Sequence, residues 1–267
     1  MRAVILAAGR GSRLRAVTGD RPKCLARVGD RTLIERQLQS LQRCGVDEIA
    51  VVTGYQADDV RRACGPGAEI VVNTRYESTN SLYSLWLARD LLKDGFVVLN
   101  CDVLFHDQLL ADLLAARDED ALLFAAPRGQ VYSDEEMKVR LRAGCVADIA
   151  KTLTPEETDG ENVGIAKFGA AGAALLVEEL SQAVADNGQR DWLPRAFAAF
   201  ARRRPLYAVE TRGFPWTEID SPEDYWRACA DVLPAIVERH GAGEYRLPIQ
   251  GARHTAADAP RRPLHHV

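Results

Sequence analysis

The sequence predicts an α/β protein: a mixed, mostly parallel central sheet with helices on both faces, plus a small β-rich insertion. Three observations carry that expectation. Short runs of Val, Ile and Leu alternate with helical patterns from residue 2 to residue 125. Those runs are apolar throughout, as strands covered on both faces are. The connections between them are short, which makes consecutive elements neighbours in βαβ units.

Each element has its own signal. Residues 2–7 (Arg-Ala-Val-Ile-Leu-Ala) form a buried strand that ends in a glycine-rich turn. Residues 32–43 read as an amphipathic helix with Leu33, Ile34, Leu38 and Leu41 on one face and Gly45 as its stop. A strand over 48–53, a helix over 57–63 and a strand over 69–72 follow. Residues 80–93 pattern as one helix, and a strand over 96–99 runs into Asn100-Cys101-Asp102. Segments 107–117 and 121–125 continue the alternation. Between 128 and 168 the pattern changes. Residues 137–141 and 146–151 alternate like an antiparallel pair turned at Gly144, a polar loop spans 154–162, and a strand spans 163–168. This stretch reads as an insertion within a single domain over 1–240. Helices over 170–187, 190–203 and 222–239 and a strand over 206–210 complete that domain. Residues 241–267 are rich in Gly, Pro, Arg and His without periodicity, and read as an irregular or disordered tail.

Composition narrows the function classes. With 267 residues, 47% hydrophobic and 27% charged, the chain is an ordinary globular one, not a fibrous, disordered or disulfide-scaffold protein. Its six cysteines include no C-x-x-C pair, and its five histidines form no metal-binding spacing. No signal-peptide pattern opens the sequence. The longest low-charge apolar stretch, 168–177, is half of the roughly 20 residues a membrane span needs. The expectation is a cytoplasmic protein with neither membrane nor nucleic acid as partner, and with a homodimer left open. The net charge of −4 hides an asymmetry, because residues 1–30 hold seven Arg or Lys against two Asp. That local excess suits a polyanion.

The basic end surrounds the most informative string, Leu6-Ala7-Ala8-Gly9-Arg10-Gly11-Ser12-Arg13-Leu14. Two glycines just past a strand let backbone N–H groups approach an anion without Cβ obstruction. Two familiar phosphate loops fail here. The dinucleotide fingerprint needs a third glycine where Leu14 stands, and the P-loop needs a Gly-Lys-Ser/Thr ending. Spacing alone leaves phosphate binding and a plain strand-to-helix turn both open.

The wider string over 6–25 resembles the signature of nucleotidyltransferases that load phosphorylated small molecules onto nucleoside triphosphates. The family pattern L-A-A-G-x-G-[ST]-R, a Thr, then P-K-x-L is met at every position, and Ala16 stands where many members carry Pro. Further segments resemble one branch, the small cytidylyltransferases acting on phosphocholine and phosphonates. They are Asn80-Ser81-Leu82-Tyr83-Ser84-Leu85-Trp86, Met137-Lys138-Val139, Glu161-Asn162-Val163-Gly164-Ile165 and Trp216-Thr217-Glu218-Ile219-Asp220-Ser221-Pro222. The resemblance implies the nucleotidyltransferase fold, with 128–168 as an acceptor-side insertion. It also implies transfer of CMP from CTP to a small phosphonate or phosphate monoester, with pyrophosphate released.

Residue by residue, the resemblance makes Lys23, Arg13, Asp102 and Asp220 catalytic. Leu6, Ala7, Ala8, Gly9, Gly11 and Ser12 would hold the nucleotide with Arg13 and Lys23. Thr53, Tyr55, Asn73, Ser78, Thr79 and Asn80 match loops that hold the base. Asp102 and Asp220 would bind Mg²⁺, with Glu218 as a candidate third ligand; oxygen-only ligation suits that ion. Asp102 also ends an apolar strand, where α/β sheets place their ligands, whereas Asp220 could instead cap the helix after Pro222. Lys138, Lys151, Glu161 and Asn162 would bind the acceptor. Only 5 of the 34 basic residues are Lys, and an ammonium is a compact charge suited to a tight phosphoryl site. Near 132–137, where phosphocholine enzymes of this type carry aromatics, the chain reads Tyr-Ser-Asp-Glu-Glu-Met. With Arg128, Arg190 and Arg212 placed in rim loops, this favours a small phosphonate, and Trp192 and Trp216 are the aromatics that would otherwise cage a quaternary ammonium. Two alternatives stay open. One is a sugar-1-phosphate enzyme using UTP, dTTP or GTP, suggested by Glu161-Asn162; the other is a catalytically silent nucleotide-binding regulatory module.

Overall fold

A computed structural model describes residues 1–127, 132 and 134–241. The first half runs β1 (Arg2–Ala7), α1 (Arg15–Thr18), β2 (Arg27–Val28), β3 (Arg31–Thr32), α2 (Leu33–Arg43), β4 (Ile49–Thr53), α3 (Ala57–Cys64) and β5 (Ala68–Val72). It continues through α4 (Ser81–Leu87), β6 (Phe96–Asn100), β7 (Val103–Phe105), α5 (Asp107–Ala115) and β8 (Ala121–Ala125). The second half runs β9 (Lys138–Arg142), β10 (Cys145–Ala150), β11 (Gly160–Phe168), α6 (Ala170–Ala185), α7 (Pro194–Ala201) and β12 (Tyr207–Glu210). It closes with β13 (Trp216–Glu218), α8 (Pro222–Arg227) and α9 (Leu233–Gly241).

Nine strands form the main sheet in the order β5-β4-β1-β6-β11-β8-β12-β10-β9. The β5-β4-β1-β6 half is parallel. Strand β11 enters antiparallel between β6 and β8, and β12 lies parallel to β8. Because β9 also pairs with β11, the strands β11, β8, β12, β10 and β9 close into a small ring. The strands at 138–168 are thus woven into the sheet: β11 sits at its centre, and the β9–β10 hairpin joins β12 back to β11. The hairpin turns at Ala143 (φ 51°) and Gly144 (φ 77°), the paired left-handed conformations that match strand twist.

The apolar runs are continuous because both sheet faces are covered. On β1, Val4 and Leu6 face a core with Leu82 and Leu85 of α4, Leu176 of α6 and Phe200 of α7. The alternate residues, Ala3 and Ile5, face Ile34 and Leu41 of α2 and Leu109 and Leu113 of α5. Each fully buried Val, Leu, Ile or Phe side chain among them contributes about 1.5–3 kcal/mol. Two long helices expected from sequence are interrupted. The 80–93 pattern stops at Leu87 and passes into a 3₁₀ turn over Arg89–Leu91. The last helix carries a π segment at Ala228–Val232 just before Pro234, which lacks the N–H that would bond the Ala230 carbonyl.

The parallel register sets the site. Leu6 lies between Val52 of β4 and Asn100 of β6, so the loops leaving β1, β4 and β6 emerge side by side. That is the carboxyl edge where open α/β sheets bind ligands.

Candidate active site

The glycine-rich loop is built around close contact with Lys23. Gly11 adopts φ 67°, ψ 43°, and a Cβ there would lie 2.5 Å from the Lys23 Cβ. Only glycine meets both demands. A short 3₁₀ turn over Ser12–Leu14 follows, and fully buried Leu14 pins it against Val28, Leu33 and Ile219. Arg13 is thereby aimed across the cleft: its guanidinium donates to Asp220 Oδ2 at 2.9 Å and to Glu135 Oε2 at 3.1 Å.

Asp102 and Asp220, 118 positions apart, meet because two short strands pair. Strand β13 runs antiparallel to β7, with Glu218 opposite Val103, and the Ile219 N–H donates to the Asp102 carbonyl. Ser221, not Asp220, caps α8, through a capping box with Asp224. Asp220 is left to the site. Between the two carboxylates stands Lys23, only 9% exposed. Its Nζ donates to Asp102 Oδ2 at 2.8 Å and to Asp220 Oδ1. Burial works against the Lys23 charge, yet Asp102 and Asp220 hold the ammonium well above its ordinary value. Burial likewise pushes the Asp220 carboxyl up, but Lys23, then Arg13 and Lys151, draw it below the usual range. Glu218 gets less help, from Lys23 alone, and that is outweighed. Burial first, then Asp102 and Asp220, push it up to about 8.

Asp102, Glu218 and Asp220 each offer one oxygen within 4.8 Å of the others. The Asp102 Oδ1 is buried and has no hydrogen-bond partner among the described residues. An orphaned carboxylate oxygen beside two further carboxylates is a donor set that fits a hard, oxygen-seeking divalent cation.

These groups floor a cleft of about 300 Å³. Leu6, Ala8, Gly9, Gly11, Ser12 and Arg13 line it from the loop, with Lys23, Asp102, Glu218 and Asp220 beneath. Asn73, Thr79 and Asn80 line the next wall. Buried Asn73 donates to Thr79 Oγ1 (3.0 Å) and Ser84 Oγ (3.2 Å), while Asn80 caps α4 through Ser81. Opposite stand Lys151, Asn162 and Trp192. The Lys151 Nζ lies 3.4 Å from Glu135 Oε2 and 5.2 Å from the centre of the Trp192 ring.

Other sequence-predicted residues lie outside this lining. Ala7 and Thr53 are buried in the sheet. Ser78 bonds back to the Arg75 carbonyl, and Tyr55 turns to a neighbouring pocket. Lys138 is 3% exposed and its Nζ donates to the Lys151 carbonyl at 2.7 Å, so it braces the segment that presents Lys151. Glu161 stands opposite Lys138 across β9 and β11, where burial, then Glu136, pushes its carboxyl up to about 7. Trp216 pairs with Phe105 and packs in the core. Arg190 is absent from the lining, Arg212 points to Asp112, and Arg128 and residues 242–267 lie outside the described residues.

The cleft also contains residues that sequence reasoning passed over: Tyr76, Ser84, Asn100 and Glu135. Asn100 had a signal in the Glu-Asn-Val-Gly string. Gly164 (φ 83°) leaves room for the Asn100 amide, which a Cβ would approach to 2.8 Å. Glu135 had none, because its role depends on Arg13 and Lys151 meeting it in space.

The geometry now has counterparts among known proteins. The MobA-like NTP transferase domain matches residues 3–202. The "Bifunctional IPC transferase and DIPP synthase" of Rubrobacter xylanophilus is 34% identical over 83% of this chain and 50% of its own length. The chain thus spans about half the length of such curated relatives. The "CMP-5'-(3-aminopropyl)phosphonate synthase" of Streptomyces rubellomurinus is 31% identical over 85% of this chain and 38% of its own. The solved CTP:phosphocholine cytidylyltransferase of Streptococcus pneumoniae shares the fold, with a TM-score of 0.69 and 24% identity over 85% of this chain and 97% of that one. Among the described residues no helix is long and apolar enough to cross a membrane. With three quarters of its length matched by one domain type, the chain belongs to the MobA-like NTP transferase family.

Proposed function

We propose that this chain is a cytidylyltransferase that transfers CMP from CTP to a small phosphonate or phosphate monoester and releases pyrophosphate. The observation that carries the reading is Lys23, buried between Asp102 and Asp220 under the glycine-rich loop, with Arg13 on the rim. An acceptor phosphonate or phosphate oxygen attacks the α-phosphorus in line. Such an oxygen is already anionic near neutral pH, so the site needs no strong general base. It needs charge neutralisation and alignment, which preorganised cations supply. Arg13 and Lys23 meet the departing β- and γ-phosphates, and the loop N–H groups align them. Asp102 and Asp220, with Glu218 beside them, would hold Mg²⁺, which when bound neutralises charge on the α-phosphate.

Lys151 and Asn162 take the acceptor's anionic head, with Trp192 as the apolar wall. Lys151 already lies over the Trp192 face, so that ring is poorly placed to cage a quaternary ammonium. This supports a phosphonate over phosphocholine. Glu161, which with Asn162 suggested a sugar phosphate, stands outside the cleft lining. The test is a matrix of CTP, UTP, dTTP and GTP against 2-aminoethylphosphonate, phosphonoformate, phosphocholine and sugar-1-phosphates, read as pyrophosphate release with Mg²⁺. Turnover with CTP and a phosphonate is expected. Turnover confined to UTP, dTTP or GTP with a sugar-1-phosphate would refute it, and silence throughout would favour a regulatory module.

A further inference from the structure

The glycine-rich loop has two sides, and the mechanism above uses one. On the outer side lies a separate pocket of about 170 Å³, which shares only Gly11 and Ser12 with the cleft. Arg10, Arg15 and Arg21 line it, against a single carboxylate, Asp20. Arg10 and Arg15 approach the same Asp20 oxygen at 3.5 and 3.6 Å, beyond ordinary hydrogen-bond length. Arg21 makes no ion pair or side-chain hydrogen bond among the described residues. Three guanidinium groups therefore line the pocket against one carboxylate, which only two of them engage, and weakly.

The walls are held in place without any ligand. The Tyr55 N–H donates to the Ala8 carbonyl at 3.1 Å, which fixes the β4 turn against the loop. The Tyr55 hydroxyl and the Gln56 amide both donate to the Asp20 carbonyl, at 3.1 and 2.7 Å. Arg10 lies over the Tyr55 ring, 4.9 Å from its centre. This explains why Tyr55, expected at the base, faces elsewhere: it is the platform of the outer pocket.

We infer that this outer pocket is a second anion site, taking a compact inorganic or nucleotide-borne polyphosphate. Guanidinium forks match phosphate oxygens in pairs, and three of them suit more than one phosphate group. The pocket is small, about 170 Å³, and its polar walls are guanidinium groups, which suits a compact anion. The ligand is free pyrophosphate or the terminal phosphates of a triphosphate reaching over the loop. An anion there also touches the loop residue, Gly11, that packs on Lys23.

Calorimetric titration of the full chain with pyrophosphate, without metal, tests this against Arg15→Glu/Arg21→Glu, its Gln counterpart and Lys23→Ala. Circular dichroism checks that each variant is folded. We expect a binding event that survives Lys23→Ala and weakens at least tenfold in both double variants. Repeating the titration with the cleft filled by an α,β-methylene CTP analogue separates the two sources. Persistence of the event identifies free pyrophosphate. Its loss, with analogue affinity reduced tenfold in the double variants, identifies the nucleotide's own terminal phosphates. The inference is overturned if the double variants leave both pyrophosphate and analogue affinity unchanged. An analogue that fails to bind at all would count against the CTP reading alone, since the pyrophosphate titrations decide the outer pocket without it.

Discussion

Lys23→Ala separates a structural ion pair from a catalytic one, because its two costs differ in size. In the folded chain the ammonium touches Asp102 and Asp220, with side chains 18% and 30% exposed. Removing it leaves Asp102 without a cationic partner among the described residues, while Arg13 still holds Asp220 at 2.9 Å. Stranding a part-buried charge costs about 3 kcal/mol, the top of the range for a neutral group and the bottom of that for a broken buried ion pair. Domains of this class have roughly 5–15 kcal/mol of stability, so the variant stays folded and melts lower by about 2–4 °C per kcal/mol lost. The catalytic cost is separate. Loss of one preorganised stabiliser of transition-state charge lowers kcat by ~10²–10³-fold, about 2.7–4 kcal/mol. The assay is pyrophosphate release at saturating CTP and Mg²⁺, with a circular-dichroism melt on the same preparation. A folded Lys23→Ala enzyme whose kcat stays within threefold of the parent would refute the assignment.

Other perturbations read other parts of the site. Lys151→Ala should raise the acceptor KM ~10–100-fold, the loss of a hydrogen bond to a charged group, and leave the KM for CTP nearly unchanged; a shift in the CTP value instead would place Lys151 on the nucleotide. Gly11→Ala forces a side chain into the left-handed region and onto the Lys23 Cβ, costing about 1–2 kcal/mol for the conformation alone. It should lower both Tm and kcat, and unchanged values of either would contradict the close packing. Glu218 is raised to about 8 in the folded chain, so without metal it costs stability that grows as pH rises from about 4.5 and is complete above about 8. Glu218→Gln should therefore raise Tm at pH 9 in chelator by at least about 2–4 °C and do little at pH 4.5; a variant less stable at pH 9 would disprove the crowding. His106 is held down to about 4, first by burial and then by His240, so its stabilising share is complete above pH 6.5 and lost as pH falls toward 4. A pH series of melts should show that loss reduced in His106→Asn, which keeps a side-chain acceptor for the Gln108 N–H at the start of α5.

What could be read from the sequence was whatever the chain decides locally. The β1 run, the apolar face of α2 with its stop before Gly45 and the turn at Gly144 each depend on a few adjacent residues, and each stands where its pattern put it. Lys23 and Asp102 were legible for the same reason, one in a continuous motif and the other at the end of an apolar strand. Asp220 was ambiguous, and what resolved it was tertiary: Ser221 takes the cap, and β13 pairs with β7. The acceptor side was the least legible. Lys138 and Lys151 look alike as strand-edge cations, but Lys138, inside β9, sends its ammonium to a backbone carbonyl, whereas Lys151, just past the end of β10, lies beside Trp192. Their difference lies in the five-strand ring, whose closure joins β9 to β11 across more than twenty residues of chain. Tyr55 failed in the same way, since β4 fixes where the residue emerges but not which side of the glycine-rich loop it meets. The basic first thirty residues accordingly serve two surfaces. Arg13 and Lys23 face the cleft, whereas Arg10, Arg15 and Arg21 face the outer pocket, with one glycine-rich loop as the wall between them.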